Sequence, residues 1–117
     1  MSRLSVSQSD IDFQNKILAE VSRTFALTIP KLPDNLVVAV SNAYLLCRIA
    51  DTIEDDPDLS FSEKKRYSDW FAKILRETSS ATEFSEELLT KLGPKTSQAE
   101  RLLIKETPKV LRVTHSL

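Results

Sequence analysis

Asp51, Glu54 and Asp55 stand at helical spacing, with Arg48 about one turn before them and Tyr44 one turn earlier still. Three carboxylates in this pattern suit magnesium, a hard cation that usually takes one or two carboxylates and completes its shell with substrate phosphates and water. Side chains at i and i+4 point to the same side of a helix, so Asp51 and Asp55 can share one metal–phosphate cluster. Without a metal, the same acids read as a solvated helix end. Arg48 has the planar fork that clamps a phosphate oxygen; its alternative is an intrahelical pair with Asp51 or Thr52. Arg23, flanked by the hydroxyls of Ser22 and Thr24, is a second candidate for an anion. By itself, an arginine just after a helix is more often a cap or surface residue.

The element that must position these residues is a long apolar helix. Thirteen of the eighteen residues from Leu36 to Ile53 are apolar. The run Val37, Val38, Val40 is β-branched, but the segment is too long for a strand. Arg48 and Asp51 break it short of membrane length, so it is not read as a transmembrane span. An apolar pattern nearly all the way round places such a helix at the centre of a domain. At about 100° per residue, Val37, Val40, Tyr44, Arg48, Asp51 and Asp55 share one stripe, flanked by Glu54. The stripe passes from apolar to cationic to anionic, and from Tyr44 to Asp55 it covers roughly 16 Å. That polarity matches a ligand with a greasy tail and a phosphate head held through a cation.

Two local rules are broken at the acidic end. Asp51 and Asp55 repel each other at i and i+4, at about 0.2–0.5 kcal/mol. Carboxylates near a helix C-terminus oppose its dipole, at about 0.3–1 kcal/mol. Such conflicts concentrate at functional sites, and a divalent cation would resolve both. Tyr44 would ordinarily be core, but its place on the stripe turns it toward a cavity. Cys47 reads as a small core residue, Trp70 and Phe71 as core, and His115 as incidental.

The whole chain sets the frame. Its 117 residues suffice for one domain with a single core. The net charge is −1 and no basic block is present, so nucleic acid is not an expected partner. One Gly rules out a Gly-rich phosphate loop, and few turn residues favour helix. The lone Cys47 excludes an intrachain disulfide framework and fits a reducing compartment. The polar start, Met1 to Asp10, lacks the apolar core of a signal peptide.

Helices are expected as follows. Met1 to Ser9 is a frayed lead-in, and Asp10 to Val21 the first helix. Ala26 to Ile29 follows the Ser22–Phe25 element, and Pro30 and Pro33 break the chain before the long helix. Pro33 fits the first turn of that helix, Asp34 complements its positive end, and Pro57 stops it. Ser60 and Glu63 have capping-box spacing and open a helix to about Glu77, with Tyr67, Trp70, Phe71, Ile74 and Leu75 on its apolar side. Thr78 to Thr82 is a polar loop. Phe84 to Leu92 is a short helix closed by Gly93-Pro94. Ser97 and Glu100 form a second capping box, opening a helix that Thr107-Pro108 either interrupts or restarts.

With these residues in view, Ser22-Arg23-Thr24-Phe25 followed by Tyr44-x-x-x-Arg48-x-x-Asp51-Thr52-Ile53-Glu54-Asp55-Asp56 resembles the squalene and phytoene synthase family of head-to-head prenyl transferases. The resemblance implies an all-α chain forming the N-terminal part of an isoprenoid-synthase helical bundle. It implies that Asp51, Glu54 and Asp55 hold Mg²⁺ on a prenyl diphosphate. Ser22, Arg23 and Arg48 would bind the diphosphate, Tyr44 would face the reaction cavity, and Phe25 would help wall it. The Asp-Thr-Ile-Glu-Asp-Asp wording is slightly closer to squalene synthases, which join two farnesyl diphosphates through a cyclopropyl intermediate and reduce it with NADPH. Phytoene or dehydrosqualene synthesis, without reduction, is the alternative, and a non-catalytic helical interaction fragment is another. Family members are more than twice this length and carry a second aspartate-rich motif that nothing after Asp58 resembles. The chain is therefore expected to be the N-terminal portion of a larger synthase domain, holding half a site, which is not expected to complete the reaction alone. Self-association through uncovered apolar faces is expected, as is a cytoplasmic location with peripheral membrane contact, because substrate and product are greasy.

Overall fold

Local caps and prolines divide the chain into helices, and the structure, a computed structural model, describes residues 7–76 and 81–117. Among the described residues there are seven α-helices, one 3-10 turn and no strand, so the fold is all-α as expected. Ser7 caps helix α1, Gln8–Val21, by accepting from the Asp10 amide at 3.3 Å. The helix thus starts two residues earlier than its apolar periodicity suggests, because the cap and not the first apolar residue sets the start. Ser22 is a single extended residue, φ −157°, that ends α1 and caps α2, Arg23–Thr28, at the Phe25 amide. A 3-10 turn, Ile29–Lys31, carries Pro30.

Helix α3 is Asp34–Asp55, with Pro33 at its N-cap. Helix α4, Phe61–Arg76, opens on the expected capping box: the Ser60 amide donates to Glu63 Oε1 at 2.8 Å and the Glu63 amide to Ser60 Oγ at 3.1 Å. Glu77 and the polar residues through Ser80 lie outside the described residues, and Thr82 already belongs to α5, Thr82–Lys91. Helix α6 is Gln98–Lys105, with the second capping box intact. Thr107-Pro108 starts a new helix, α7, Thr107–Ser116. Pro108 sits near its N-terminus, where a missing N–H leaves no hydrogen bond unmade.

Helix α3 packs against α1, α4, α6 and α7. Its Leu45, Ile49 and Ile53 are fully buried among Ile17, Tyr67, Ile74, Phe84, Leu88, Leu103, Ile104 and Val110. Each such side chain stabilises the fold by about 1.5–3 kcal/mol on burial. Phe71 and Trp70 reach Phe84 from α4, with ring centroids at 5.8 and 5.6 Å. Polar groups complete the core. Asn42 donates to Gln14 Oε1 at 2.9 Å and to the Val110 carbonyl at 3.0 Å, and accepts from Thr114 Oγ1 at 2.8 Å, so one buried amide ties α3 to α1 and α7. Asp10, nearly buried, takes two bonds from Arg112, at 2.7 and 3.0 Å, and closes α1 onto α7.

Two expectations need correction. By length and composition α3 is apolar enough to cross a membrane, yet only 33% of its 18-residue apolar window is buried. It is therefore not a fully enclosed central helix. Leu36, Ala43, Cys47 and Ala50 face outward, and Cys47 is exposed rather than core. The all-round apolar pattern arises because two faces of α3 are apolar and the described helices cover one of them. The second correction concerns Gly93. Its backbone is not left-handed, and Leu92, the C-cap of α5, is extended. Glycine stands there for space: a Cβ at 93 would lie 2.1 Å from Asp58 Oδ2 and 2.8 Å from Asp58 Cβ. Gly93→Ala is expected to cost about 1–3 kcal/mol, as overpacking does, and urea unfolding of the variant measures it.

Acid should loosen the same ties. Hydrogen bonds from Arg112 hold the Asp10 carboxyl below the usual aspartate range, against the upward push of burial. A carboxylate with a depressed folded pKa contributes stability that is complete above the unfolded pKa and is lost as pH falls through the folded value. The melting temperature should therefore hold from pH 6 to about pH 4, the ordinary aspartate value, and fall below it. Asp10→Asn should lower the neutral-pH plateau and flatten that acid limb.

Candidate diphosphate and metal site

The stripe on α3 survives folding, with its members in different environments. Tyr44 is half-buried and meets Phe25 of α2, the ring centroids 4.3 Å apart and tilted by 39°. The α2 backbone itself packs on α1, and the ring contact alone brings these residues, nineteen apart in the chain, together as an aromatic pair. Phe25 remains 41% exposed, so the pair forms a wall with one open side. Arg23, at the start of α2, is exposed and makes no ion pair or side-chain hydrogen bond among the described residues. Ser22 uses its hydroxyl as the α2 cap.

Asp51, Glu54 and Asp55 are all exposed at the C-terminal end of α3. None of their carboxylates has a hydrogen-bond or ion-pair partner among the described residues; the one bond that a side chain of a described residue makes to this trio runs from Lys64 Nζ to the Glu54 backbone carbonyl, at 2.6 Å. Among the described residues no three His, Cys, Asp or Glu side chains converge as a preformed metal cluster. Exposed carboxylates of this kind can supply the one or two oxygen ligands that magnesium takes alongside substrate phosphates. The donors are hard oxygens uncommitted to other bonds, with Asp51 and Asp55 on the helical stripe that carries Arg48 and Glu54 flanking it.

Arg48 lies one turn before these acids and is half-buried. Its ion pair is with neither Asp51 nor Thr52. The Nη2 group pairs with Glu100 Oε2 of α6, while Nε is buried without a partner. Thr52 instead donates its hydroxyl to the Arg48 carbonyl at 2.8 Å. Glu100 was legible in the sequence only as the capping-box residue of α6. Its second role needs the packing of α6 on α3.

Asp56 departs from its acidic neighbours altogether. It is 2% exposed. Its Oδ2 accepts from the Gly93 amide at 2.8 Å and Thr96 Oγ1 at 2.6 Å, and its Oδ1 from the Asp58 amide at 2.7 Å. Burial pushes its pKa up, but the bonds from Thr96, Gly93 and Asp58 and the charge of Arg101 outweigh that and leave it below the usual range. The bond to Asp58, two residues on, is an Asx-turn and marks the only sequence-local sign of this role. Arg101 in turn binds the Gly93 and Thr96 carbonyls. The segment between α5 and α6 is thus pinned beside the acidic end of α3.

Two hollows lie along α3, and the smaller one adjoins the site. A small one, about 60 Å³, is lined by Thr52, Asp55, Asp56, Lys95, Thr96 and Glu100. An apolar groove of about 270 Å³ opens between α3 and α4, lined by residues that include Cys47, Ala50, Ile53, Phe71 and Leu75. Tyr44 and Arg48 do not line that groove. A family model described as squalene/phytoene synthase matches residues 18–117. No curated protein and no solved structure matches the chain.

Proposed function

Because the chain belongs to the squalene/phytoene synthase family, whose members are head-to-head prenyltransferases, we propose that it supplies one side of a magnesium-dependent site for prenyl diphosphates. The observation that carries this reading is the set of three uncommitted carboxylates at the end of α3, adjoining a half-buried arginine with an unpaired donor. Asp51, Glu54 and Asp55 would hold Mg²⁺, which when bound would neutralise charge on the diphosphate leaving group. Arg48 and Arg23 donate to phosphate oxygens from the same side, with Ser22 at the entrance to α2. Tyr44 and Phe25 present ring faces to the reacting allylic carbons, where they stabilise positive charge and keep water away.

One helix end reaches the diphosphate from one side, so we assign the chain half of the site. We place the product with squalene, formed from two farnesyl diphosphates with NADPH as reductant, on the wording of the Asp51–Asp56 motif; phytoene or dehydrosqualene without reduction is the competing assignment. Product analysis of the enzyme with and without NADPH separates them. A cytoplasmic enzyme touching a membrane surface suits substrates of this kind.

The site itself is tested by calorimetry of Mg²⁺ with the wild-type chain, in the presence and absence of a non-hydrolysable prenyl diphosphate analogue. The proposal expects the analogue to strengthen Mg²⁺ binding. Magnesium affinity indifferent to the analogue, with a salt-sensitive protein partner instead, would favour an acidic interaction module.

A further inference from the structure

The guanidinium of Arg48 does not wait empty. It is paired with Glu100, fifty-two positions further along the chain, where α6 crosses α3. The pairing is one-sided on Arg48, since only Nη2 is engaged and Nε is buried without an acceptor. It is one-sided on Glu100 as well. Oε1 stays with its own helix, accepting from the Ser97 amide at 3.1 Å and from Ser97 Oγ at 3.2 Å. Only Oε2 is lent to Arg48. Both side chains are about a quarter exposed, at 26% and 23%, so solvent and solutes can reach the contact. Asp55, Lys95 and Glu100 share the small hollow next to it.

We infer that Glu100 is an internal anion that occupies Arg48 until a phosphate oxygen displaces it. The inference rests on the reading of Arg48 as a diphosphate contact, and adds a competitor for that contact. Carboxylate and phosphate are interchangeable partners for a guanidinium, and phosphate offers more oxygens in the same fork. The exchange is inexpensive for Glu100, because its capping bonds run through the other oxygen and survive. It is favourable for Arg48, because a two-point phosphate contact also satisfies Nε. Glu100 is therefore a positioning residue: it keeps Arg48 ordered in the absence of ligand and lowers the affinity for the phosphate head by competing for the Arg48 guanidinium.

Glu100→Gln isolates this role. Glutamine is accepted at the third position of a capping box, so α6 keeps its start while the charge is lost. Titrating wild type, E100Q, R48Q and R48Q/E100Q with inorganic pyrophosphate in magnesium forms a double-mutant cycle. E100Q should bind pyrophosphate roughly 2- to 5-fold more tightly than wild type, the scale of a partly exposed ion pair. R48Q should bind weakly, and adding E100Q to it should recover nothing. Equal affinities of E100Q and wild type overturn the inference and leave the phosphate site standing. A gain that persists without Arg48 also overturns it, since it would report only the removal of a nearby negative charge. Binding by neither wild type nor E100Q overturns the phosphate reading and this inference together. Should E100Q not fold, wild type alone decides: by NMR, pyrophosphate should shift the Arg48 Nε–H resonance and leave the Ser97 amide in place, and an unmoved Arg48 resonance at saturation overturns the exchange.

Discussion

Asp51→Asn/Asp55→Asn is expected to abolish magnesium-dependent binding of a prenyl diphosphate analogue while leaving the fold intact or slightly firmer. The loss should be roughly 100-fold or more, since even residues that merely support metal ligands cost 10- to 100-fold when removed. Asparagine preserves volume and removes charge, and hard divalent cations depend on that charge. Stability should move the other way. Both carboxylates are exposed and unbonded, and in wild type they repel each other across one helical turn and oppose the α3 dipole. Relieving those conflicts is worth about 0.3–1 kcal/mol. A small rise in the urea midpoint together with lost binding is the signature of charges kept for a ligand. A pair that served the fold would lose stability instead, and binding that survives both substitutions would remove the metal assignment.

Asp56→Ala should show the reverse pattern and the largest stability loss of any single change in the acidic run. Its carboxylate is the shared acceptor for the Gly93 amide, the Thr96 hydroxyl and the Asp58 amide. Removing it leaves the buried donors of Gly93 and Thr96 unmatched, and each unsatisfied buried group costs about 1–3 kcal/mol. A total of about 3–5 kcal/mol is expected, a large part of the roughly 5–15 kcal/mol available to a domain. Denaturant unfolding followed by helical circular dichroism gives the number. Because the α5–α6 connection is released, Glu100 should also lose its register on Arg48. A variant as stable as wild type would mean that Asp56 belongs with its exposed neighbours after all.

The contrast between Asp55 and Asp56 shows what a linear reading can separate. In the sequence they are consecutive acids in one run. At the end of a helix, consecutive residues point about 100° apart. One faces water beside Asp51, and the other faces the α5–α6 segment. Periodicity assigns a side chain to a face; it does not say what lies opposite. The same gap explains Cys47 and Ala50, which an all-round apolar pattern assigns to the core and the structure leaves outside.

What the sequence by itself determined is local. The caps at Ser60–Glu63 and Ser97–Glu100, the break around Pro30 and Pro33, the stop at Pro57 and the Tyr44–Arg48–Asp51–Asp55 stripe all depend on residues within a few positions of one another, where helical geometry leaves little choice. The family-specific motifs are likewise written in short runs. Only the tertiary structure decided that Arg48 meets Glu100, that Asp56 holds Gly93 and Thr96, that Asp10 closes on Arg112 and that Phe25 lies on Tyr44. The first three link residues 37 to 102 positions apart, across helices whose relative placement is set by how apolar faces interlock around a shared core. A charged side chain then pairs with whatever that packing brings within reach, and no spacing rule along the chain encodes it.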